Sequence, residues 1–432
     1  MNRSVIFILC CTFIFRVGEN YACNSSNVFS DKVARCIDLV YKLESKNCFD
    51  GELLIAQGDQ ILVHMRSKDV ENCSENGENA QFMIGSLATQ FTAVALFTAL
   101  YTTCAGSEKE RVLRVIERLQ QPLIVFLPEN DLIWSDNASE WSYAVTLYHL
   151  LTHTSGIMNP LCLPLEEKKR RGVLEYCNRP QSAAENIKNM AGTPLLFYPG
   201  SDYFYSHVGY ALVAKVIERI TGTAFAEYLQ ETIFSPLDLN STSHPQHGLS
   251  AYLRKTSHPY LMQEFIYDRF SDGIMLQEPS LEILFDIANA IGSGEIISSV
   301  KDLWRWQKEL HSKKSILPSE LYNLFIRPEK NESGCGIFNK NGTLFYTGKI
   351  GFYTSLTLYK PDEDISFIVM CHSDYNEEQF FEICDNLDSD LMKTLPDPVE
   401  RLKEIQKIVN YVYPCRRGAE PIIDSIYQEL IC

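Results

Sequence analysis

Apolar residues in this chain cluster in short dense runs near both ends and take on helical spacing in between. In GELLIAQGDQILVHMRS (51–67) two apolar runs are separated by Gly58-Asp59, which predicts two strands joined by a tight turn. A polar stretch around 68–80 reads as a loop, and a helix is expected to open at Ser86 in IGSLATQFTAVALFTALY. Further on, HVGYALVAKVIERITG places Tyr210, Val213, Val216, Ile217 and Ile220 on one apolar face, with Gly222 as a stop. Strands return late. CGIFNKNGTLFYTG contains an Asn341-Gly342 hairpin signal, and TSLTLYKPDEDISFIVMC reads as a hairpin around Pro361 and Asp362. The pattern predicts an α+β fold: one antiparallel sheet drawn from both chain ends and flanked by helices, with a mainly helical lobe inserted over about 104–290. A further helix is expected over 376–395, followed by an extension of unread role over 396–432.

The first 22 residues read differently from the rest. Arg3 precedes an apolar run from Val5 to Phe15, too short for a bilayer and suited to a removable signal peptide. Of the 14 cysteines, Cys10 and Cys11 lie in that leader, and the even remainder predicts disulfides in an oxidising compartment. Sequons at Asn24, Asn72, Asn137, Asn240, Asn331 and Asn341 fit a secretory route, and a periplasmic location stays open. No later segment is apolar enough to span a membrane. The net charge of −16 is dispersed along the chain, which argues against a nucleic-acid partner. Cysteine spacing matches no zinc pattern, so neither a metal nor a cofactor is expected.

Candidate chemistry lies in three stretches, FMIGSLATQFTA (82–93), FYPGSDYFYSHVGY (197–210) and FYTGKIGFYTSL (345–356), with VTLYHLLTHTSGI (145–157) between the first two. In this order they resemble the serine beta-lactamase and penicillin-binding protein superfamily, nearest its class C beta-lactamase and D-alanyl-D-alanine carboxypeptidase branch. The resemblance implies a beta-lactamase/transpeptidase-like fold and acyl transfer through a serine ester, guided by S-x-x-K, Y-x-N and [KH]-[TS]-G motifs. It maps Ser86 to the nucleophile at the floor of a pocket and Tyr205 to the catalytic tyrosine. Thr347 and Gly348 match the third motif, and the N–H groups of Ser86 and Lys349 would form the oxyanion hole. The implied ligand is a small ester, amide or peptide-like molecule.

Three positions depart from that pattern. Thr89 replaces the lysine, His207 the asparagine, and Tyr346 the lysine or histidine, while the turn after Gly348 reads one residue short. A serine hydroxyl needs an adjacent base. Threonine cannot ionise near neutrality, and a phenol of ordinary pKa near 10 is about one part in a thousand ionised at pH 7. The sequence therefore predicts an impaired enzyme. The alternative is an active ester or amide hydrolase in which His207, two residues past Tyr205 on an extended segment, replaces the lost base, with Lys349 as a further source of charge. A conventional beta-lactamase or cell-wall peptidase is the third reading. His149 and His153 are expected to support the fold, and His244 and His247 to lie at the surface. Tyr203, Phe204, Tyr205 and the WRW of 304–306 are expected to form pocket wall and core.

Overall fold

The computed structural model describes residues 50–67, 79–134, 140–160, 170–171, 183–244, 290–350 and 353–372. The leader, the loop of 68–78, His247, the helix expected over 376–395 and the C-terminal extension lie outside them. Strands β1 (Asp50–Gln57) and β2 (Gln60–Arg66) come from the front of the chain. From the back come β5 (Phe338–Lys340), β6 (Thr343–Ile350), β7 (Tyr353–Lys360) and β8 (Ile365–His372). They form one antiparallel sheet in the order β2-β1-β8-β7-β6-β5, as the sequence predicts. β1 against β8 ties the two ends together, with Leu54 opposite Ile368. The turns fall where read: Gly58 adopts φ +54°, and Asn341 and Gly342 adopt +52° and +87°, the left-handed pair a two-residue hairpin requires. Leu54, Ala56, Ile368 and Met370 enter the main core, while Leu53, Ile55, Leu358 and Phe367 are buried outside it. Burial on both faces explains why these strands read as continuous apolar runs rather than alternating ones.

The described helices are α1 (Ala88–Thr102), α2 (Glu108–Leu119), α3 (Leu147–Leu151), α4 (Ala183–Ala191), α5 (His207–Thr221), α6 (Phe225–Leu229), α7 (Val300–Gln307) and α8 (Ser319–Phe325). α1 is apolar on nearly every side and correspondingly buried, packed against α5. Gly222 ends α5 at φ +71°, its N–H donating to the Glu218 carbonyl at 2.9 Å. Trp306 stacks on Phe91 of α1 with ring centroids 4.2 Å apart, so one of the two WRW tryptophans is core. Trp304 stays partly exposed beneath Lys308. The sequence reading missed a two-stranded ladder, β3 (Phe82–Met83) with β4 (Ile297–Ser298), which leads the chain into the Ser86 turn. Two-residue strands carry too little pattern to be read in advance.

Candidate active site

Ser86 sits in a single 3₁₀ turn, Gly85–Leu87, between β3 and α1. Gly85 adopts φ +53°, and a β-carbon there would lie 2.6 Å from the Lys349 nitrogen. On the facing strand, a β-carbon on Gly348 would lie 1.9 Å from the Ile84 carbonyl oxygen. These two glycines let β6 lie backbone to backbone against the Ser86 turn. Ser355 of β7 locks the contact by donating its hydroxyl to the Ile84 carbonyl at 2.7 Å. The backbone nitrogen of Lys349 is thereby held beside the turn.

Tyr205 arrives from a segment pinned by the HTSG turn of the 145–157 stretch. Phe204 N–H donates to the His153 carbonyl (2.9 Å), Gly200 N–H to the Thr154 carbonyl (2.8 Å), and Ser206 N–H to His153 Nδ1 (3.2 Å). The outcome is a 2.8 Å hydrogen bond between Ser86 Oγ and Tyr205 OH. Ser206 is extended, but His207 already opens α5, so the continuously extended segment expected from Tyr205 to His207 is cut short by helix formation. His207 is 8% exposed.

Thr89 is fully buried in the first turn of α1, and its hydroxyl donates to the Ser86 carbonyl at 2.7 Å. Its proton is committed to backbone. Tyr346 is buried, stacked on Phe338 with centroids 5.1 Å apart, and its hydroxyl lies 3.5 Å from His153 Nε2. Alternation along β6 puts Tyr346, Gly348 and Ile350 on one face and Thr347 and Lys349 on the other. The Lys349 side chain, considered in the sequence as a source of charge, therefore shares the Thr347 face rather than that of Tyr346.

The structure revises the reading of two histidines. His153 does support the fold, yet it does so inside the site: its ring centroid is 4.6 Å from that of Tyr205 and 5.1 Å from that of Tyr210. Burial lowers its pKa to about 3. Because Nδ1 accepts the Ser206 N–H, the neutral ring carries its proton on Nε2, towards Tyr346. Burial also raises Tyr210, reinforced by the neighbouring phenols Tyr346, Tyr205 and Tyr203. The neutral His153 imidazole and the neutral Tyr210 phenol thus lie behind Tyr205 and the serine it bonds. His244, expected at the surface, is instead 8% exposed at its side chain and pairs through Nε2 with Glu295 at 2.9 Å. Glu295 is fully buried and also accepts the N–H groups of Gly292 (2.8 Å) and Gly294 (3.0 Å). Burial opposes its charge, but His244 and these N–H donors outweigh it and hold the carboxyl below its usual pKa. The turn it clasps backs the Ser86 turn: a β-carbon on Gly294 would lie 3.6 Å from Gly85, and Ile84 N–H donates to the Ile296 carbonyl. A histidine in a proline-containing stretch gave no sign of a buried carboxylate 51 positions away. His149 caps α3, its ring nitrogen accepting the Thr146 N–H.

Among the described residues no group of His, Cys, Asp and Glu could hold a metal ion. No described helix is long and apolar enough to cross a membrane. Cys104 and Cys335 are thiols, the latter fully buried, so the predicted disulfides do not involve these two.

Comparison with known proteins bears on the family and the fold. The beta-lactamase family profile matches residues 50–385. Penicillin-binding protein 4* of Bacillus subtilis is 25% identical over 281 residues, covering 62% of this chain and 54% of its own length, so the chain spans about half of that relative. Among solved structures, the octameric penicillin-binding protein homologue of Pyrococcus abyssi superposes with a TM-score of 0.57 at 20% identity, covering 87% of this chain and 81% of that one. A D-stereospecific amidohydrolase from Streptomyces gives a TM-score of 0.54 at 19% identity, covering 83% of this chain and 99% of that one.

Proposed function

The chain belongs to the beta-lactamase family, and from that premise we propose that it is a member whose acyl-transfer chemistry is impaired and whose site persists to bind a small ester, amide or peptide-like ligand. One observation carries the reading. The side chain three residues past Ser86, where the resemblance implies a lysine, is a buried threonine whose hydroxyl proton is given to backbone. Tyr346, at the position of the second expected cation, is likewise uncharged. General-base assistance contributes about 100- to 10,000-fold to reactions of this kind, so its loss reduces turnover by that order even where the serine and the oxyanion donors stay in place. The expected donors are the N–H groups of Ser86 and Lys349, and the close seating of β6 on the Gly85 turn supports them. The leader over 1–22, export from the cytoplasm and the division into a domain over 23–395 and an extension over 396–432 belong to the same proposal.

The test is hydrolysis of nitrocefin and 4-nitrophenyl acetate by the purified chain, with Ser86→Ala as control. Turnover barely above that of the control is expected; rapid turnover abolished in Ser86→Ala would refute the reading. The surviving Ser86–Tyr205 hydrogen bond favours one alternative, a slow hydrolase using Tyr205 with His207 as base. That alternative requires a rate that rises through the histidine range of pH, about 6 to 7, and that falls in His207→Ala.

A further inference from the structure

Resting on the proposed export, we infer that the outer edge of the sheet is an acceptor for two N-linked glycans, one on Asn341 and one on Asn331. Both residues open an Asn-x-Ser/Thr triplet, Asn341-Gly342-Thr343 and Asn331-Glu332-Ser333. The fold places them at related points. β5 is the last strand of the sheet, and among the described residues its outer side meets only Ser333, through a bridge to Phe338. Asn341 follows β5 directly, at the tip of the hairpin to β6, while Asn331 lies in the Lys330–Glu332 turn that leads into Ser333. The two acceptors therefore bracket a single edge strand.

Exposure and bonding set both side chains apart from their neighbours. Asn341 is exposed and Asn331 half-buried, and they sit in left-handed backbone at φ +52° and +54°. Neither carboxamide makes a hydrogen bond to the described protein. Asn339, in the same hairpin, is the contrast. Its Nδ2 donates to the Ile326 carbonyl at 2.9 Å and its Oδ1 accepts the Gly342 N–H at 3.1 Å, so the hairpin is held without the Asn341 side chain. In the transfer, Nδ2 bonds to the anomeric carbon of a lipid-pyrophosphate-linked oligosaccharide. The C–O bond there breaks, lipid pyrophosphate departs with the electron pair, and one amide proton passes to the transferring enzyme. Ser333 is fully buried with its hydroxyl donating to the Gly334 carbonyl at 3.3 Å, so Asn331 is modified before this segment closes. Asn341 stays accessible at the hairpin tip. A bare edge strand offers N–H and C=O groups to a second chain, and bulky, solubilising sugar at both of its ends keeps that chain away.

The test expresses the full chain in insect cells, once with its own leader and once with residues 1–22 replaced by a host signal. Release of glycans by peptide N-glycosidase in heavy-oxygen water converts each occupied asparagine into a labelled aspartate, which peptide mass spectrometry locates. Label at both Asn341 and Asn331 is expected, and absence of label at either one in the host-signal protein overturns the inference. Secretion from the host signal alone counts against the proposed export and leaves the acceptor result to be judged by itself. Asn341→Gly and Asn331→Gly suit the left-handed backbone, so each is expected to fold and to lose one step in gel mobility. Thr343→Ser should keep the Asn341 step and Thr343→Ala should lose it. A step that survives Thr343→Ala means that the sugar is attached elsewhere and overturns the assignment. The doubly bare protein is expected to self-associate at lower concentration in analytical ultracentrifugation; association no greater than that of the glycosylated chain overturns the edge-covering role.

Discussion

At the scale of single residues, Thr89 is where sequence and structure meet most directly. A threonine in place of a base is visible in the string of letters; that its hydroxyl turns back to the Ser86 carbonyl is not. Thr89→Val keeps the shape and removes this hydrogen bond, so urea denaturation should show a loss of about 1 kcal/mol with no change in Ser86 reactivity. Thr89→Lys should destabilise the fold, because it buries a charge, yet bring back slow labelling of Ser86 by a fluorophosphonate. A folded Thr89→Lys protein that stays inert would place the damage elsewhere, at Tyr346 or His207. Glu295 makes the complementary point. Its carboxylate holds His244 and two backbone N–H groups, so Glu295→Ala orphans three donors at once and should cost about 3 kcal/mol or more. Nothing local in GSGEII announces this, because the partner histidine lies far away in sequence.

Elements tell a more favourable story for the sequence. The hairpins at Gly58-Asp59, Asn341-Gly342 and Pro361-Asp362 were legible because their turn residues bracket apolar runs, and α5 because its apolar face and its glycine stop agree. The β3–β4 ladder was not legible, and neither was the seating of β6 on the serine turn, since both are set by tertiary contact rather than by periodicity. That seating depends on absent side chains. Gly348→Ala would drive a methyl into the Ile84 carbonyl and the Ser355 hydroxyl, so the expected loss is about 3 kcal/mol, together with ligand affinity. Gly222→Ala, far from the serine, should cost about 1 kcal/mol through its left-handed backbone alone and leave ligand binding untouched. Measuring both variants separates strain at the site from strain in general.

For the whole molecule, the buried histidines set the response to acid. His153 and His311 are both fully buried, and desolvation lowers each to about 3. The unfolded chain takes up protons on these rings below its ordinary histidine pKa near 6.5 while the folded one does not. Stability is therefore retained above that value and falls as pH drops from about 6.5 towards 3, by up to about 1.4 kcal/mol per pH unit for each ring. Glu295, held below the ordinary carboxylate pKa, adds a further loss at lower pH, as the medium falls through its folded value. Thermal unfolding at pH 7 and pH 5 should show the lower midpoint at pH 5, and His311→Gln should flatten that dependence without altering the site. The family was readable from four stretches in order and the sheet from the apolar runs at both chain ends, whereas the seating of His153 between Tyr346 and Tyr205 emerged only when the fold brought residues 153, 205 and 346 together. The most direct trial of the central claim is intact mass spectrometry of the purified chain after incubation with a fluorophosphonate at pH 7. The account predicts an unmodified mass, while a stoichiometric adduct that disappears in Ser86→Ala would contradict it.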